Sequence, residues 1–373
     1  MKIILKTTAI ILSAILIASS VYVYIYRAQG REDINYSAIT DEQINKVLQN
    51  QYINTSSSKN KKQGRIKVTS LYKETQMPIE NVIYVIIDDK ANEIVEVLVT
   101  DGAGTATSRL YDYGKKYKIK QYSIGSPYKV NEEVIQIKIN DKEHFLIIES
   151  DTLEYVKGFE VAEDGKVNIT ELFMPVEIIK QRPVLPNGCE ITSLTAVLNY
   201  YGYDVTKTEM SDTYLPRRHF ERIDGILYGG DPYKEYAGDP RDPLNGFFSY
   251  APPIVEAAEL YFKDIKEENK TPIDISGSSR EEIMGFLESG VPVVIWTTLN
   301  LEKPRINYSW KLFETGDKFY APINLHCIVL KGFVDDKVYV MDPLKGSITR
   351  NADDFFASYE ALGSHAMVVI NES

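Results

Sequence analysis

The chain has 373 residues, of which 44% are hydrophobic and 25% charged, and its formal net charge is -11. This composition excludes a disordered chain and leaves enough apolar mass for more than one domain core. The acidic balance argues against a nucleic-acid partner, whose phosphates need a basic footprint.

The N-terminal segment comes first. Lys2 and Lys6 precede an uncharged run from Thr7 to Tyr26, TTAIILSAILIASSVYVYIY. A run of this length can span a bilayer as a helix. Tyr22, Tyr24 and Tyr26 lie at its distal end, where an aromatic belt would sit. The leading lysines would stay cytoplasmic and the rest of the chain would lie outside. A cleaved signal peptide, with Ala18 and Ser20 before the cut, is the alternative. The apolar run continues past that point, which favours an uncleaved anchor over residues 1–30. Both readings place the folded part outside the cytoplasm.

Residues 31–64 read as a spacer, with a short helix at Asp41 to Gln51 and then the polar stretch NTSSSKNKKQG. From Arg65 the pattern turns to period two. RIKVTSLY, NVIYVII, EIVEVLV, KYKIKQY, EVIQIKI, HFLIIE and LEYVKGFEV alternate with turn signals such as DGAG and NDKE. Residues 65–172 are therefore expected to form an accessory all-β domain, an antiparallel sandwich or barrel. His144 stands alone there and reads as a strand residue. A ligand of this β domain is left open as a partner.

After Phe173 helices appear. Cys189 to Tyr201 places Ile191, Leu194, Val197, Leu198 and Tyr201 on one face, with Gly202 as a stop. Pro252 and Pro253 open a second helix at Ile254 to Ile265. Ser278 with Glu281 makes a capping box for a third, ending at Gly290. Strands follow from Val291, Leu325, Lys337 and His365. This order is α+β, with an antiparallel sheet behind the helix that begins at Cys189.

The chain has two cysteines, Cys189 and Cys327, too few for a disulfide scaffold. No CxxC or Cys/His cluster has zinc spacing, so neither a metal nor any other cofactor is expected. Cys189 follows Asn187-Gly188, a turn pair, and opens a helix. Unpaired N–H groups at a helix start lower a thiol pKa, as a nucleophile requires. A thiolate also needs a base, and the base an orienting group. Of the four histidines, His326 opens an apolar strand and Asp342 ends the next. A hydrogen bond from Cys189 to His326, and one from His326 to Asp342, would complete the set.

Strand parity sets a condition on this arrangement. If Asp335-Asp336 is a two-residue turn, Asp342 falls opposite Val329 and on the wrong face for His326. An odd-length turn or a bulge is required, and Gly332 is the place for one. If His326 faces the nucleophile, the same alternation turns Cys327 away from it as a small buried hydrophobe, and a Cys189–Cys327 bridge stays open only if His326 is not the base. Gln181, upstream in IIKQRPVLPNGC, is a side-chain candidate for an oxyanion donor, beside the Cys189 N–H.

The loop from Tyr228 to Tyr250 carries Asp-Pro pairs at Asp231, Asp239 and Asp242, then Asn245-Gly246. Its first reading is turn scaffold, and its second a groove wall selecting a basic or amine-bearing substrate. A calcium loop is a third reading, though the spacing is not that of an EF-hand. Trp310 is a candidate cleft residue, Trp296 reads as core, and His219 and His365 as structural.

The segments KQRPVLPNGCEITSLTAVLNYYG, YGGDPYKEYAGDPRDPLNGFFSYAPPIVEAA, NLHCIVLKGF and VYVMDPLKG together resemble the papain-like cysteine peptidases related to the bacteriocin double-glycine-leader peptidases. The resemblance is to the stand-alone exported bacterial members, and it covers residues 173–373. It implies a papain-like catalytic domain with Cys189 as nucleophile, His326 as base and acid, Asp342 as orienter and Gln181 as oxyanion donor. The Gln181–Cys189 interval is wider than in the leader peptidases. The implied activity is hydrolysis of a peptide or protein substrate through a thioester acyl-enzyme. A peptide-binding module without turnover and an acyl-transferase or transpeptidase using the same triad are the alternatives.

Overall fold

The computed structural model describes residues 44–47, 62–162 and 167–371. The expected membrane-spanning run lies outside them, as does most of the polar stretch that follows. No helix among the described residues is long and apolar enough to cross a membrane. The described residues fall into two compact units that divide between Ile169 and Thr170.

From Gln63 on, the first unit is built of strands. Its strands are β1 (Gln63–Tyr72), β2 (Ile83–Asp88), β3 (Ile94–Val99), β4 (Thr105–Thr107), β5 (Tyr111–Asp112), β6 (Lys116–Ser123), β7 (Val134–Lys138), β8 (Glu143–Ser150) and β9 (Val156–Val161). One four-stranded sheet has the order β3-β2-β6-β7; in a second, β4, β5 and β8 all pair with β1. Period-two patterning does what was expected of it: β1 buries Ile66, Val68, Ser70 and Tyr72 and leaves the intervening residues half-exposed. The expectation of a purely antiparallel arrangement needs one correction. β1 and β8 pair in parallel, from Arg65↔Glu143 to Tyr72↔Ser150. Alternation reports which face is buried and is blind to strand direction. Residues 44–47 are helical, within the expected Asp41 to Gln51 helix, and Ile44 packs into a core with Val85 and Val97.

β10 (Val167–Phe173) leads into the second unit. Helix α1 (Cys189–Tyr200) is its centre, and every residue from Cys189 to Leu198 is buried. That includes Glu190, Thr192, Ser193 and Thr195, so the helix is covered all round rather than on one apolar face. Thr192 and Thr195 satisfy their hydroxyls by donating to the carbonyls of Gly188 (2.6 Å) and Ile191 (2.7 Å).

The remaining strands, in chain order, are β11 (Arg217–Arg218), β12 (Glu221–Ile223), β13 (Ile226–Gly229), β14 (Tyr236–Ala237), β15 (Lys270–Asp274), β16 (Val293–Thr298), β17 (Ile306–Leu312), β18 (Lys318–Pro322), β19 (Leu325–Val334), β20 (Lys337–Asp342), β21 (Gly346–Asn351) and β22 (Ala366–Asn371). The main sheet runs β15-β22-β16-β19-β10, with β20 on β19 and β21 on β20. β12, β13, β17 and β18 form a smaller sheet around Trp310.

Three further helices flank the main sheet: α2 (Ala251–Ile265), α3 (Arg280–Glu288) and α4 (Ala352–Ala361). The α3 capping box is Ser279 with Glu282, one residue later than expected. Ser278 and Ser279 both have a glutamate three residues on. Ser278 is taken by the turn at Gly277, where its N–H donates to the Ile275 carbonyl. Helix α4, capped by Asn351 with Asp353 and Asp354 in its first turn, was not anticipated.

Candidate active site

The turn before α1 is built by close approach. A Cβ on Gly188 would lie 2.8 Å from Leu185 Cβ and 3.3 Å from Pro240 Cβ, so only glycine lets the loop pack there. Asn187 ties this turn to the Asp-Pro loop: its N–H donates to the Pro240 carbonyl (3.2 Å) and its Nδ2 to the Asp242 carbonyl (2.8 Å). Tyr236 donates its hydroxyl to the Asn187 carbonyl at 2.7 Å. Cys189 is the first helical residue, so its own N–H has no intrahelical acceptor.

The irregularity required of the β19–β20 hairpin is present. Val334↔Lys337, Phe333↔Val338 and Gly332↔Tyr339 pair in one register, and Leu330↔Val340 and Val329↔Met341 in another, with the shift between Leu330 and Gly332. Gly332 has φ 153°, a conformation that side-chain-bearing residues rarely adopt, and a Cβ there would be 2.1 Å from the Leu172 carbonyl oxygen. The extra residue moves Asp342 from opposite Val329 to opposite Ile328. It thereby shares a face with His326, and His326 Nε2 lies 2.8 Å from Asp342 Oδ1. Both side chains are buried. Burial alone would raise the Asp342 carboxyl, but the hydrogen bond and charge of His326 and the N–H groups of Leu344 and Lys345 outweigh it and bring it down to about 2. Asp342 therefore stays ionised, and its hold on Nε2 leaves Nδ1 as the free nitrogen of the ring.

Cys189 differs from expectation in two respects. Its Sγ donates to Glu190 Oε2 at 3.2 Å and accepts from the Cys327 N–H at 3.5 Å; His326 is not among its hydrogen-bond partners in this conformation. Its pKa is pushed well above the ordinary thiol value, first by burial, then by the Glu190 carboxylate and Cys327. The helix start does not win here, because desolvation and a neighbouring anion both oppose the thiolate.

Cys327 also differs. Rather than turning away from the nucleophile, its thiol is buried beside Cys189 and Glu190, and Ser193 of α1 donates its hydroxyl to the Cys327 carbonyl at 3.3 Å. A helix laid across a strand covers alternate residues, and β19 offers Cys327 to α1 while His326 pairs with Asp342. Both cysteines are free thiols, so the disulfide reading fails.

Gln181 is buried beside this assembly. Its N–H donates to the Pro343 carbonyl (3.0 Å), next to Asp342, and its Nε2 to the Pro186 carbonyl (2.6 Å). One Nε2 hydrogen is left over. The carboxylates of the Asp-Pro loop are used as turn scaffold. Asp231 accepts from the Tyr233 N–H, Asp239 from the Arg241 N–H, and Asp242 from Leu244 and Asn245. Asn245 Nδ2 closes the turn on Asp242 Oδ2 at 2.9 Å. The loop adjoins the Cys189 turn through Asn187. Trp296 and Trp310 are both buried and donate to the carbonyls of Ser249 and Gly230, so neither lines an open cleft. Among the described residues no cluster could hold a metal ion.

Glu190 is the residue the sequence reading missed. Fully buried, it accepts Cys189 Sγ on Oε2 and the Ser249 N–H on Oε1 (3.1 Å), and burial pushes its carboxyl up to about 7. The available signal was a charged residue inside a helix whose neighbours are otherwise small or apolar.

The second unit is thus a sheet-rich α+β fold that presents a cysteine at the start of its central helix and pairs a histidine with an aspartate on adjacent strands. The chain belongs to the Peptidase_C39 like family, which it matches over residues 173–367. It is 30% identical over 216 residues to the uncharacterised protein YvpB of Bacillus subtilis (strain 168), covering 56% of this chain and 80% of that one. Among solved structures it is similar to a candidate C39-like peptidase from Bacillus anthracis (27% identity, 54% of this chain and 98% of that chain, TM-score 0.47). It is also similar to a double glycine motif protease from an AMS/PCAT transporter, crystallised in complex with the leader peptide (17% identity, 54% and 94%, TM-score 0.31).

Proposed function

We propose that this protein is a cysteine peptidase acting on peptide or protein substrates through a thioester acyl-enzyme. The observation that carries the reading is the His326–Asp342 pair, which the bulge at Gly332 brings to 2.8 Å. The family membership supports it.

In this reading His326 Nδ1 takes the thiol proton as Cys189 Sγ attacks the scissile carbonyl carbon. The oxyanion is met by the Cys189 N–H and the spare Nε2 hydrogen of Gln181. The C–N bond then breaks as His326 returns the proton to the leaving amine. Water attacks the thioester, passing a proton to the imidazole and releasing the acid and the thiol. Asp342 holds the tautomer and stabilises the imidazolium. The thiol must first turn from Glu190 to His326, and unliganded catalytic pairs often close only when substrate binds.

The uncharged run Thr7–Tyr26 behind Lys2 and Lys6 supports a membrane-anchored site of action outside the cytoplasm. One observation favours a second reading, a peptide-binding module without turnover: the buried thiol is bonded to Glu190 and not to the imidazole. The purified chain, incubated with a peptide library and read by mass spectrometry, tests both. Cleavage abolished by Cys189→Ala and by His326→Ala supports the peptidase. Peptide retention without cleavage, unchanged in Cys189→Ala, refutes it and supports the binding module.

A further inference from the structure

The Glu190 carboxylate has no part in the steps above, yet it touches the atom that would perform them. Its two oxygens join two elements: Oε2 takes the Cys189 S–H on α1, and Oε1 takes the Ser249 N–H at the end of the Asp-Pro loop. The titratable groups that face it are Cys189 on its own helix, Cys327 from β19, and Tyr236 from β14, which donates its own hydroxyl to Asn187. None of these is a cation. An ionised Glu190 thus sits against the thiol with no counter-charge among its neighbours in the described residues, while the cationic partner of a working thiolate would be His326.

We propose that Glu190 is a positioning residue that gates the nucleophile. As a carboxylate it holds the Cys189 thiol protonated and turned from His326, and on taking up a proton it releases it. The argument is electrostatic. A thiolate beside a buried carboxylate is opposed by a like charge within hydrogen-bond distance, and in a desolvated site that repulsion is large. A protonated Glu190 presents no such charge and can donate its own hydrogen bond to the sulfur. The carboxyl lies in the neutral range because burial raises it to about 7, so the gate would operate near neutrality. The proposal rests on the peptidase reading for its purpose, but its chemistry can be measured without a substrate.

The experiment is site-resolved alkylation of Cys189 by iodoacetamide across neutral and alkaline pH, with mass spectrometry separating Cys189 from Cys327. Glu190→Gln keeps an acceptor for the Ser249 N–H and removes the charge. Its alkylation midpoint should fall by at least about one pH unit, giving about tenfold faster alkylation just above neutrality. Glu190→Asp, which keeps the charge, should retain a high midpoint. Equal midpoints in the parent and Glu190→Gln overturn the proposal. If Glu190→Gln does not fold, carbon-13 spectra of glutamate-labelled parent protein serve instead. One carboxyl titrating near neutrality should shift its midpoint when Cys189 is carbamidomethylated, and no such shift overturns the idea. A lowered midpoint in a protein that cleaves nothing would leave the gate standing and refute the peptidase; cleavage with unchanged midpoints would do the reverse.

Discussion

Gly332→Ala probes the feature on which the site depends. The native φ of 153° costs a side-chain-bearing residue about 1–3 kcal/mol. The added Cβ would also lie 2.1 Å from the Leu172 carbonyl oxygen and 3.0 Å from Phe173 Cα, both backbone atoms that cannot step aside. Relief requires β10 to draw back from β19, which breaks the neighbouring bond from the Met174 N–H to the Lys331 carbonyl (2.8 Å), at about 1 kcal/mol net. The total expected loss is about 2–4 kcal/mol, read by urea unfolding followed through Trp296 and Trp310. A second consequence follows from parity. If the chain relaxes by expelling the bulge, Asp342 returns to the position opposite Val329 and leaves the face of His326. The low-field imidazole proton on the Asp342 hydrogen bond should then vanish from the NMR spectrum, and any peptide cleavage should fall as far as in Asp342→Ala. An alanine variant with parental stability and an intact low-field proton would show that the bulge does not align the pair.

Asp342→Asn should leave the packing in place but favour the wrong imidazole tautomer, lowering turnover on the order of a thousandfold or more; a drop of less than tenfold would argue that His326 is not the base. The same variant tests linkage. The depressed Asp342 pKa of about 2 contributes stability that is present above the unfolded value and lost as pH falls through about 2, worth about 2 kcal/mol, so the parent should lose more stability on acidification than Asp342→Asn. Glu190 has the opposite sign: raised to about 7, its contribution is full below the unfolded carboxyl pKa and lost as pH rises through about 7. In mildly alkaline buffer Glu190→Gln should therefore exceed the parent in stability by up to about 3 kcal/mol, and a less stable variant there would contradict the buried-charge account. Asn187→Ala removes the bond from Nδ2 to the Asp242 carbonyl and should cost about 1 kcal/mol while speeding amide exchange at Arg241 to Gly246; unchanged exchange would mean the turn does not anchor the loop.

How much of this was legible without a structure varies residue by residue. Asn187-Gly188 ahead of an apolar periodic run placed Cys189 at a helix start, because turn chemistry and helical period are local properties of the chain. Parity along two strands was enough to require a bulge, and Gly332 was the residue that could form it. The α3 capping box was misplaced by one residue because Ser278–Glu281 and Ser279–Glu282 have the same spacing, and only the turn at Gly277 separates them.

What lay beyond the sequence has one physical cause. A buried polar group takes its partner from whatever element is packed against it, and that element can be far away along the chain. Glu190 is held by Ser249, 59 positions on, and Cys189 Sγ is reached by the Cys327 N–H, 138 positions on. Alternation told that His326 and Cys327 face opposite ways, but only the seating of α1 on β19 decided which of them meets the helix. The sequence by itself determined the cysteine at the helix start, the histidine and aspartate on adjacent strands, and the need for an irregularity between them. The tertiary structure alone decided that the thiol rests on a carboxylate, because desolvation and like-charge repulsion exist only once the chain has closed around them.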